Sequence, residues 1–194
     1  MGKSEILDIL RQNFPAFSND ELRESIAAQS RVMDHSQEEQ IVKPGDYPKW
    51  IPLLLKGAIK VNRVDDTGQE IFLYYLYPGQ TCALTLNCCM LEKPSEVRAV
   101  AEEGTQYLAV PRLKISEWMN SYKDWRNFTL QSYDERYENL ISTIDAIAFR
   151  KLDERLLELL KDKAIAMGSN ELEITHKLLA EELHSAREVI SRLL

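Results

Sequence analysis

The final stretch of the chain, residues 175–194, reads THKLLAEELHSAREVISRLL and predicts two short helices joined by a tight turn. Thr175 stands where a side chain can cap the first helix, which we expect over residues 176–183. Ser185 lies in the predicted turn and has with Glu188 the spacing of a capping box that opens the second helix. The residues that face inward from both helices are Leu179, Ala180, Leu183, Val189, Ile190 and Leu193. Two helices joined so closely predict a helix-turn-helix.

The outward face of this motif carries groups that can bind bases and phosphates. In a helix-turn-helix the second helix lies in the major groove of DNA. There Arg187 and Arg192 can bridge guanine O6 and N7, and Glu188 can accept a hydrogen bond from cytosine N4. The alternative is that both arginines are only solvated and that Glu188 only completes its capping box. The residues expected to contact DNA are Thr175, His176, Lys177, Ser185, Arg187, Glu188, Ser191 and Arg192.

Upstream of this motif, residues 122–149 carry a heptad stripe. Its apolar members alternate at spacings of three and four: Leu130, Tyr133, Tyr137, Leu140, Ile144 and Ile147. Charged residues such as Asp134, Glu135 and Arg136 fall off the stripe. A seam this narrow favours a helix pair between two subunits over one helix packed on its own domain. Each Ile or Leu buried there stabilises by about 1.5–3 kcal/mol, and the expected assembly is a symmetric dimer.

Residues 31–110 have the rhythm of short strands separated by turns. The glycines at 45, 57, 68 and 79 are spaced by 12, 11 and 11 residues, which is typical of a β-sandwich or barrel. Residues 65–68, DDTG, predict a hairpin turn with the glycine at positive φ. Two helices are expected before this region. The second of them begins at Ser18, which has a capping-box partner in Glu21.

Composition and charge bound the function. The chain has a net charge of −7 and a pI near 5.1, which argues against a protein that coats nucleic acid over its whole surface. A local basic patch remains compatible with DNA binding, because affinity depends on the charge near the phosphates. No apolar run reaches the roughly 20 residues needed to span a bilayer, and the first residues lack a signal peptide's apolar core. We expect a cytoplasmic protein with no membrane partner.

Three cysteines, Cys82, Cys88 and Cys89, fit no disulfide framework and no paired zinc motif. Adjacent cysteines form a disulfide poorly, so buried, inert thiols are the favoured interpretation. The chain also lacks a nucleophile elbow, a phosphate-cradling glycine loop and the H-E-x-x-H zinc motif. The sequence therefore predicts a protein that is not an enzyme, with no catalytic residue, no metal site and no certain cofactor.

Several segments resemble the Crp/Fnr family of transcription regulators. They are KGAIKV at 56–61, TGQE at 67–70, THKLLA at 175–180 and AREVISRLL at 186–194. In that family the recognition helix carries an Arg-Glu pair followed four residues after the Glu by a second Arg, as Arg187, Glu188 and Arg192 stand here. The resemblance covers nearly the whole chain.

This resemblance implies an α+β fold in three parts. Residues 1–119 would form an effector-sensing domain, a double-stranded β-helix or jelly roll of the cyclic-nucleotide-binding type with flanking helices. Residues 120–149 would form the dimerisation helix, and residues 150–194 part of a winged helix-turn-helix. The rest of the recognition helix and the wing are expected beyond Leu194. The implied partners are a palindromic DNA operator, a second copy of the chain and RNA polymerase.

The implied ligand site departs from the cyclic AMP pattern. Family members that bind cyclic AMP carry Gly-Glu-x-Ala/Gly-Leu followed by Arg-Ser/Thr-Ala, whereas this chain has GQTCALT at 79–85 and KPSEVRA at 93–99. Cys82 and Ala83 replace the Gly-Glu pair, so the ribose acceptor is missing. We expect another small effector or an empty pocket, with cyclic AMP unlikely to bind. The candidate effector-binding residues are Thr81, Cys82, Ala83, Leu84, Ser95, Arg98, Leu140 and Ile141.

The resulting hypothesis is a homodimeric, effector-controlled transcription regulator with a hinge around residues 149–150. Two alternatives stay open. One is a redox or haem sensor of the same architecture, and the other is a cyclic-nucleotide-like regulatory module that acts on a protein partner.

Overall fold

A computed structural model describes the backbone of residues 2–65, 67–167, 169 and 171–194. Within these ranges it describes all side chains except those of residues 146–151, 166 and 167. The packing divides the chain into two compact units, the first ending at Arg136 and the second spanning Tyr137–Leu194.

The order of elements alternates helical and strand-rich regions. The helices are α1 (Lys3–Asn13), α2 (Asp20–Gln29), α3 (Ala83–Leu91), α4 (Arg112–Ser121), α5 (Lys123–Met167), α6 (His176–Glu182) and α7 (Arg187–Leu193). The strands are β1 (Arg31–His35), β2 (Glu39–Val42), β3 (Trp50–Lys56), β4 (Ile59–Val64), β5 (Glu70–Leu76), β6 (Val97–Ala101) and β7 (Thr105–Pro111).

Two antiparallel sheets make up the strand-rich region. One has the order β1-β7-β3, and the other has the order β2-β6-β4-β5. A core of apolar residues from both sheets lies between them, including Leu54 and Tyr107 from the first and Val61 and Ala99 from the second. Sheets of this kind bury their facing sides. The predicted α+β class with a jelly-roll-like β-domain is confirmed.

Strand β3 is buried on both of its faces. Leu54 faces the core between the sheets, whereas Leu53 and Leu55 face a second core on the outer side of the sheet. This explains why residues 51–55, IPLLL, form a continuous apolar run rather than an alternating one. The second core is covered by helices and is rich in aromatic residues: Phe14, Phe17, Trp118, Trp125 and Phe128.

The start of α2 differs from the predicted capping box. Asn19 caps the helix, because its side-chain oxygen accepts a hydrogen bond from the Leu22 N–H at 2.9 Å. The Ser18 hydroxyl instead donates to Asp124 in α5 at 2.9 Å. The Ser18–Glu21 box was therefore wrong, since Ser18 ties α5 to the loop before α2.

Helix α5 has 45 residues and is continuous. Its backbone stays helical through residues 149–150, where a hinge was predicted, although the side chains there lie outside the described residues. No helix among the described residues is long and apolar enough to span a membrane. In the second unit, α5 contributes Leu152 and Leu156 to a core shared with α6 and α7.

Candidate functional site

The segment that matches the cyclic AMP cassette begins at a glycine that the fold requires. Gly79 has a φ of +90°, and a Cβ there would lie 2.5 Å from the Asn13 carbonyl oxygen. Its N–H donates to the Leu54 carbonyl at 2.9 Å. The Thr81 hydroxyl, a predicted effector contact, is buried and donates to the Pro52 carbonyl at 2.7 Å. The fold thus already uses the hydrogen that Thr81 can donate.

Helix α3 follows directly and is apolar over most of its length. Cys82 caps it, with the sulfur accepting from the Thr85 N–H at 3.4 Å. Ala83 is buried and Leu84 is half-buried. Cys82 has a thiol and Ala83 has no polar side-chain group, so this pair offers no carboxylate to a ribose.

Ser95 and Arg98 are engaged within the protein. The Ser95 hydroxyl donates to the Val97 carbonyl at 3.1 Å and accepts from the Val97 N–H at 3.2 Å. Arg98 donates to Glu70 at 2.5 Å, and Asn62 donates to the other oxygen of the same carboxylate at 2.7 Å. These hydrogen bonds, first from Asn62 and then from Arg98, lower the pKa of Glu70.

Arg98 lies on the opposite face of β6 from its neighbours Val97 and Ala99, and this separates it from Cys82. Its neighbours Val97 and Ala99 face the core between the sheets, where Cys82 also lies. Successive side chains of a strand point to opposite faces, so Arg98 points away from that core. The structure brings Thr81, Cys82, Ala83 and Leu84 together and leaves Arg98 on the other side of the sheet.

A cluster that the sequence analysis missed lies beside the buried Cys82 and contains the half-buried Tyr74 and Arg136. The Tyr74 hydroxyl is 3.7 Å from the Cys82 sulfur, and the Arg136 guanidinium lies 3.9 Å from the Tyr74 ring centre. Burial raises the pKa of Tyr74, so its hydroxyl keeps its proton. The Nε of Arg136 is buried without a hydrogen-bond partner among the described residues. The sequence offered little indication of this cluster, because Arg136 is one of several charged residues that lie beside the heptad stripe.

The two helix positions predicted to face an effector, Leu140 and Ile141, belong to the second unit. They are 56% and 41% exposed. Their place in an effector site stays a prediction.

The three cysteines are buried and free. The Cys88 thiol donates to the Pro94 carbonyl at 3.6 Å, and the Cys89 thiol donates to the Pro48 carbonyl at 3.3 Å. Burial raises the pKa of Cys88 and raises that of Cys89 to about 12. Because the thiolate is the reactive and metal-binding form, these two thiols are poorly suited to redox or metal chemistry at neutral pH. Among the described residues, no group of three His, Cys, Asp or Glu side chains could hold a metal ion.

The C-terminal helices form the predicted two-helix motif. Thr175 caps α6, since its hydroxyl oxygen accepts from the Leu178 N–H at 3.2 Å, which confirms the predicted cap. The turn passes through His184 at a φ of +51°. The inward-facing residues Leu179, Ala180, Leu183 and Ile190 are buried, and Val189 and Leu193 pack against them.

The second predicted cap was wrong. Helix α7 begins after Ala186, with no side-chain hydrogen bond to its first turn. The Ser185 N–H donates instead to the Ala180 carbonyl at 2.8 Å and closes the turn from α6. The N-cap position of α7 is Ala186, so Ser185 lies one residue too early to cap this helix.

Helix α7 presents a polar face to solvent. Its members Arg187, Glu188, Ser191 and Arg192 are all exposed. Neither arginine forms an ion pair with any residue that the structure describes. Ser191 lies 2.9 Å from the His176 ring nitrogen, so the two helices are also joined by a polar contact. The predicted DNA contacts on this helix are accessible, but their role stays a prediction.

The heptad stripe on α5 leaves most of its members exposed. Leu130, Tyr137, Leu140 and Ile144 are 64%, 62%, 56% and 51% exposed. Tyr133 is half-buried and packs against the aromatic core of the first unit. The Ile147 side chain lies outside the described residues. Dimerisation through this stripe stays a prediction.

The architecture combines a cyclic-nucleotide-binding-like β-domain with a long helix and two short C-terminal helices. Comparison with known structures agrees. A Crp/Fnr-family transcriptional regulator from Eubacterium rectale matches with a TM-score of 0.63 and 27% identity, covering 94% of this chain and 85% of that one. The catabolite activator protein of Thermus thermophilus shares the fold with a TM-score of 0.63 at 22% identity, covering 92% and 84%.

Sequence comparison gives the same result. The global nitrogen regulator of Synechocystis sp. is 25% identical over 170 residues, which are 84% of this chain and 76% of that protein. The global nitrogen regulator of Synechococcus elongatus is 27% identical over 158 residues, or 78% and 71%. No protein-family model matches the chain.

In fold and sequence the chain is similar to transcriptional regulators of the Crp/Fnr type, and it has a cyclic-nucleotide-binding-like domain. The proteins that it matches here are transcriptional regulators and not enzymes. The predicted resemblance is confirmed.

Proposed function

We propose that this chain acts as a homodimer that binds a palindromic DNA operator through α7. The observation that carries this proposal is the division of α7 into two faces. Ile190 is fully buried against α6 and Leu193 packs beside it, whereas the arginines at 187 and 192 are exposed and unpaired within the described chain. A helix anchored in this way can enter the major groove without losing its own core.

Charge supports the same proposal. The chain carries a net charge of −7, so binding to phosphate must depend on a local group of cations. Lys177, Arg187 and Arg192 are exposed on the two short helices. A few such contacts make affinity fall steeply with salt concentration. DNA in the cytoplasm is then the expected partner, together with RNA polymerase at the promoter.

Selection from a pool of randomised DNA duplexes tests the proposal without knowledge of the operator. We expect a sequence with two-fold symmetry to be enriched, because a symmetric dimer presents two copies of α7. Binding of the selected duplex, measured by fluorescence anisotropy, should weaken as salt rises. A pool that stays random, or binding without salt dependence, would contradict the proposal.

Variants of α7 give the sharper experiment. Arg187→Ala and Arg192→Ala should each weaken operator binding by about 1–3 kcal/mol and relax the preference at one base position. Lys161→Ala is the matched control, since Lys161 is an exposed cation of the same unit outside the two short helices. Equal affinities of all three variants would show that the two arginines are ordinary surface residues.

We also propose that a small molecule controls DNA binding from the first unit. The support is the partly buried cluster of Tyr74, Cys82 and Arg136, because the buried Nε of Arg136 has no hydrogen-bond partner among the described residues. A thermal-shift screen of nucleotides and small carboxylates tests this. An effector should raise the melting temperature of the chain and change operator affinity, as linkage requires. Arg136→Ala should abolish both effects, whereas a screen without any shift would contradict the proposal.

A further inference from the structure

A second groove lies in the first unit and has none of Tyr74, Cys82 and Arg136 in its lining. It has a volume of about 480 Å³ and is lined by residues of β1, β2, β3 and β7 and by the loop between β2 and β3. This volume falls within the roughly 300–1,000 Å³ of small-molecule pockets. We name it the Trp50 groove.

The walls of the Trp50 groove are aromatic and apolar. Trp50 is 38% exposed and Tyr47 is 60% exposed, while Tyr107 is buried at the base. The Tyr107 ring is held in place by stacking on His35, with ring centres 5.5 Å apart. Met33, Val42 and Pro52 complete the apolar surface. Flat aromatic walls of this kind bind planar rings by stacking.

Two cationic side chains, those of Arg31 and Lys49, belong to the lining of the groove. The Arg31 guanidinium lies 5.3 Å from the centre of the Trp50 ring, and Lys49 lines the same groove. Neither forms an ion pair with a described residue. The acidic residue of the lining is Asp46, whose carboxylate already accepts from the Lys43 N–H at 3.2 Å.

The adjoining groove provides an internal comparison. It shares Tyr47, Lys49 and Trp50 but adds Arg112, whose guanidinium is paired with Glu92 at 3.5 Å. There the protein supplies its own carboxylate to the arginine. In the Trp50 groove, Arg31 has no such carboxylate among the described residues, so a ligand can supply it.

We infer that the Trp50 groove is a binding site for a small planar aromatic carboxylate. The ring would stack against Trp50 and Tyr47, and the carboxylate would accept from Arg31. The contact of Arg31 with the indole pre-orders the guanidinium, and arginine binds carboxylates through two parallel hydrogen bonds. This site is separate from the effector pocket proposed above.

The test uses 2-naphthoate as the probe and the indole N–H signals in ¹H–¹⁵N spectra of the full chain as the readout. The chain has three tryptophans, of which Trp118 and Trp125 are fully buried in the aromatic core. Saturable shifts should therefore occur at the Trp50 signal, identified with Trp50→Phe, and not at the other two. Two matched ligands, 2-naphthamide and cyclohexanecarboxylate, should bind at least about tenfold more weakly, because the first lacks the negative charge and the second lacks an aromatic ring.

Variants complete the test. Arg31→Ala and Trp50→Ala should each weaken 2-naphthoate binding at least about tenfold, and Arg31→Lys should have an intermediate effect. Lys43→Ala is the control, since Lys43 is an exposed cation of the same loop that does not line the groove. Unchanged melting temperatures would show that the variants fold.

Four results would overturn the inference. These are no saturable shift up to roughly 10 mM probe, equal binding of the neutral amide, unchanged binding by Arg31→Ala, and an equal loss in Lys43→Ala. Operator binding should not change in Arg31→Ala. Failure here therefore remains distinct from failure of the proposed DNA-binding function.

Discussion

The parts of helix α5 before and after the unit boundary at Arg136 differ in how their large apolar side chains are covered. In the half that belongs to the first unit, Trp125 and Phe128 are buried in the aromatic core. In the following turns, Leu140 and Ile144 are more than half exposed. The first half completes a core within its own chain. The turns just after Arg136 instead expose large apolar side chains, whereas Leu152 and Leu156 further along are buried again.

This difference shows what a heptad pattern can and cannot specify. The spacing predicts a helix with one apolar stripe, but it does not say which chain covers that stripe. Leu130 illustrates the point, because it lies in the first half and is still 64% exposed. Adjacent exposed apolar residues on a helix are typical of an interaction surface, and here they support the proposed dimer.

The largest expected effect comes from a charge placed in the exposed half. Leu140→Glu should abolish dimerisation, because two like charges would meet at the two-fold axis and two leucines would lose their burial. The lost leucine burial alone amounts to about 3–6 kcal/mol per dimer, a weakening of more than 100-fold. Sedimentation equilibrium measures the dissociation constant. Ser142→Glu, on the opposite side of the helix, is the control. Equal dissociation constants of the two variants would contradict dimerisation through the heptad stripe.

A slightly smaller effect is expected in the buried half. Trp125→Ala should lower the free energy of unfolding by about 3–5 kcal/mol, because it leaves a cavity among Phe17, Trp118 and Phe128. Urea unfolding in the Leu140→Glu background separates this loss from dimer dissociation. In the same background, Leu130→Ala should change stability by less than about 0.5 kcal/mol. A large loss in Leu130→Ala would place Leu130 in the core of its own chain.

The next comparison concerns two potential helix caps in the second unit. Thr175→Ala should destabilise by about 1 kcal/mol, because Thr175 accepts the Leu178 N–H. Ser185→Ala should have little effect, since no side chain caps α7. Chemical unfolding monitored by circular dichroism compares the two variants. Equal losses would mean that Ser185 caps α7 as the sequence had predicted.

The smallest effect is expected at the thiols of the first unit. Native protein should react slowly with a disulfide reagent at pH 8, because burial raises the pKa of Cys89 to about 12 and also raises that of Cys88. All three thiols should react in urea. Rapid reaction of Cys88 or Cys89 in the native chain would instead favour the redox-sensor alternative.

Much of the fold could be predicted from local sequence. The glycine spacing predicted the β-domain, and Thr175 with the apolar residues of α6 predicted the two-helix motif. The caps at Ser18 and Ser185 could not be predicted reliably. Both serines have a capping-box partner in sequence, but Asn19 caps α2, and the Ser185 N–H closes a turn from α6. Which of several nearby polar groups caps a helix depends on the path of the chain into it.

The effector region shows the same limit more clearly. Sequence matching grouped Ser95 and Arg98 with Thr81, but the strand alternation directs Arg98 away from the core that holds Cys82. Arg136, which packs on Tyr74, is 38 residues away from the nearest of these matched positions. No local pattern distinguishes it from a solvated helix charge.

By itself, the sequence determined the class of the protein, because glycine turns, heptad spacing and paired short helices are local features that act within a few residues. It also predicted that cyclic AMP does not bind, since Cys82 and Ala83 stand where the resemblance implies a Gly-Glu pair. Only the tertiary structure decided which polar side chains are already used. Hydrogen bonds to Pro52, Val97 and Glu70 engage Thr81, Ser95 and Arg98. Among the described residues, Arg31 has no ion-pair partner and the Arg136 Nε has no hydrogen-bond partner. The physical reason is that a side chain's partners are set by packing between strands and helices that are distant in sequence.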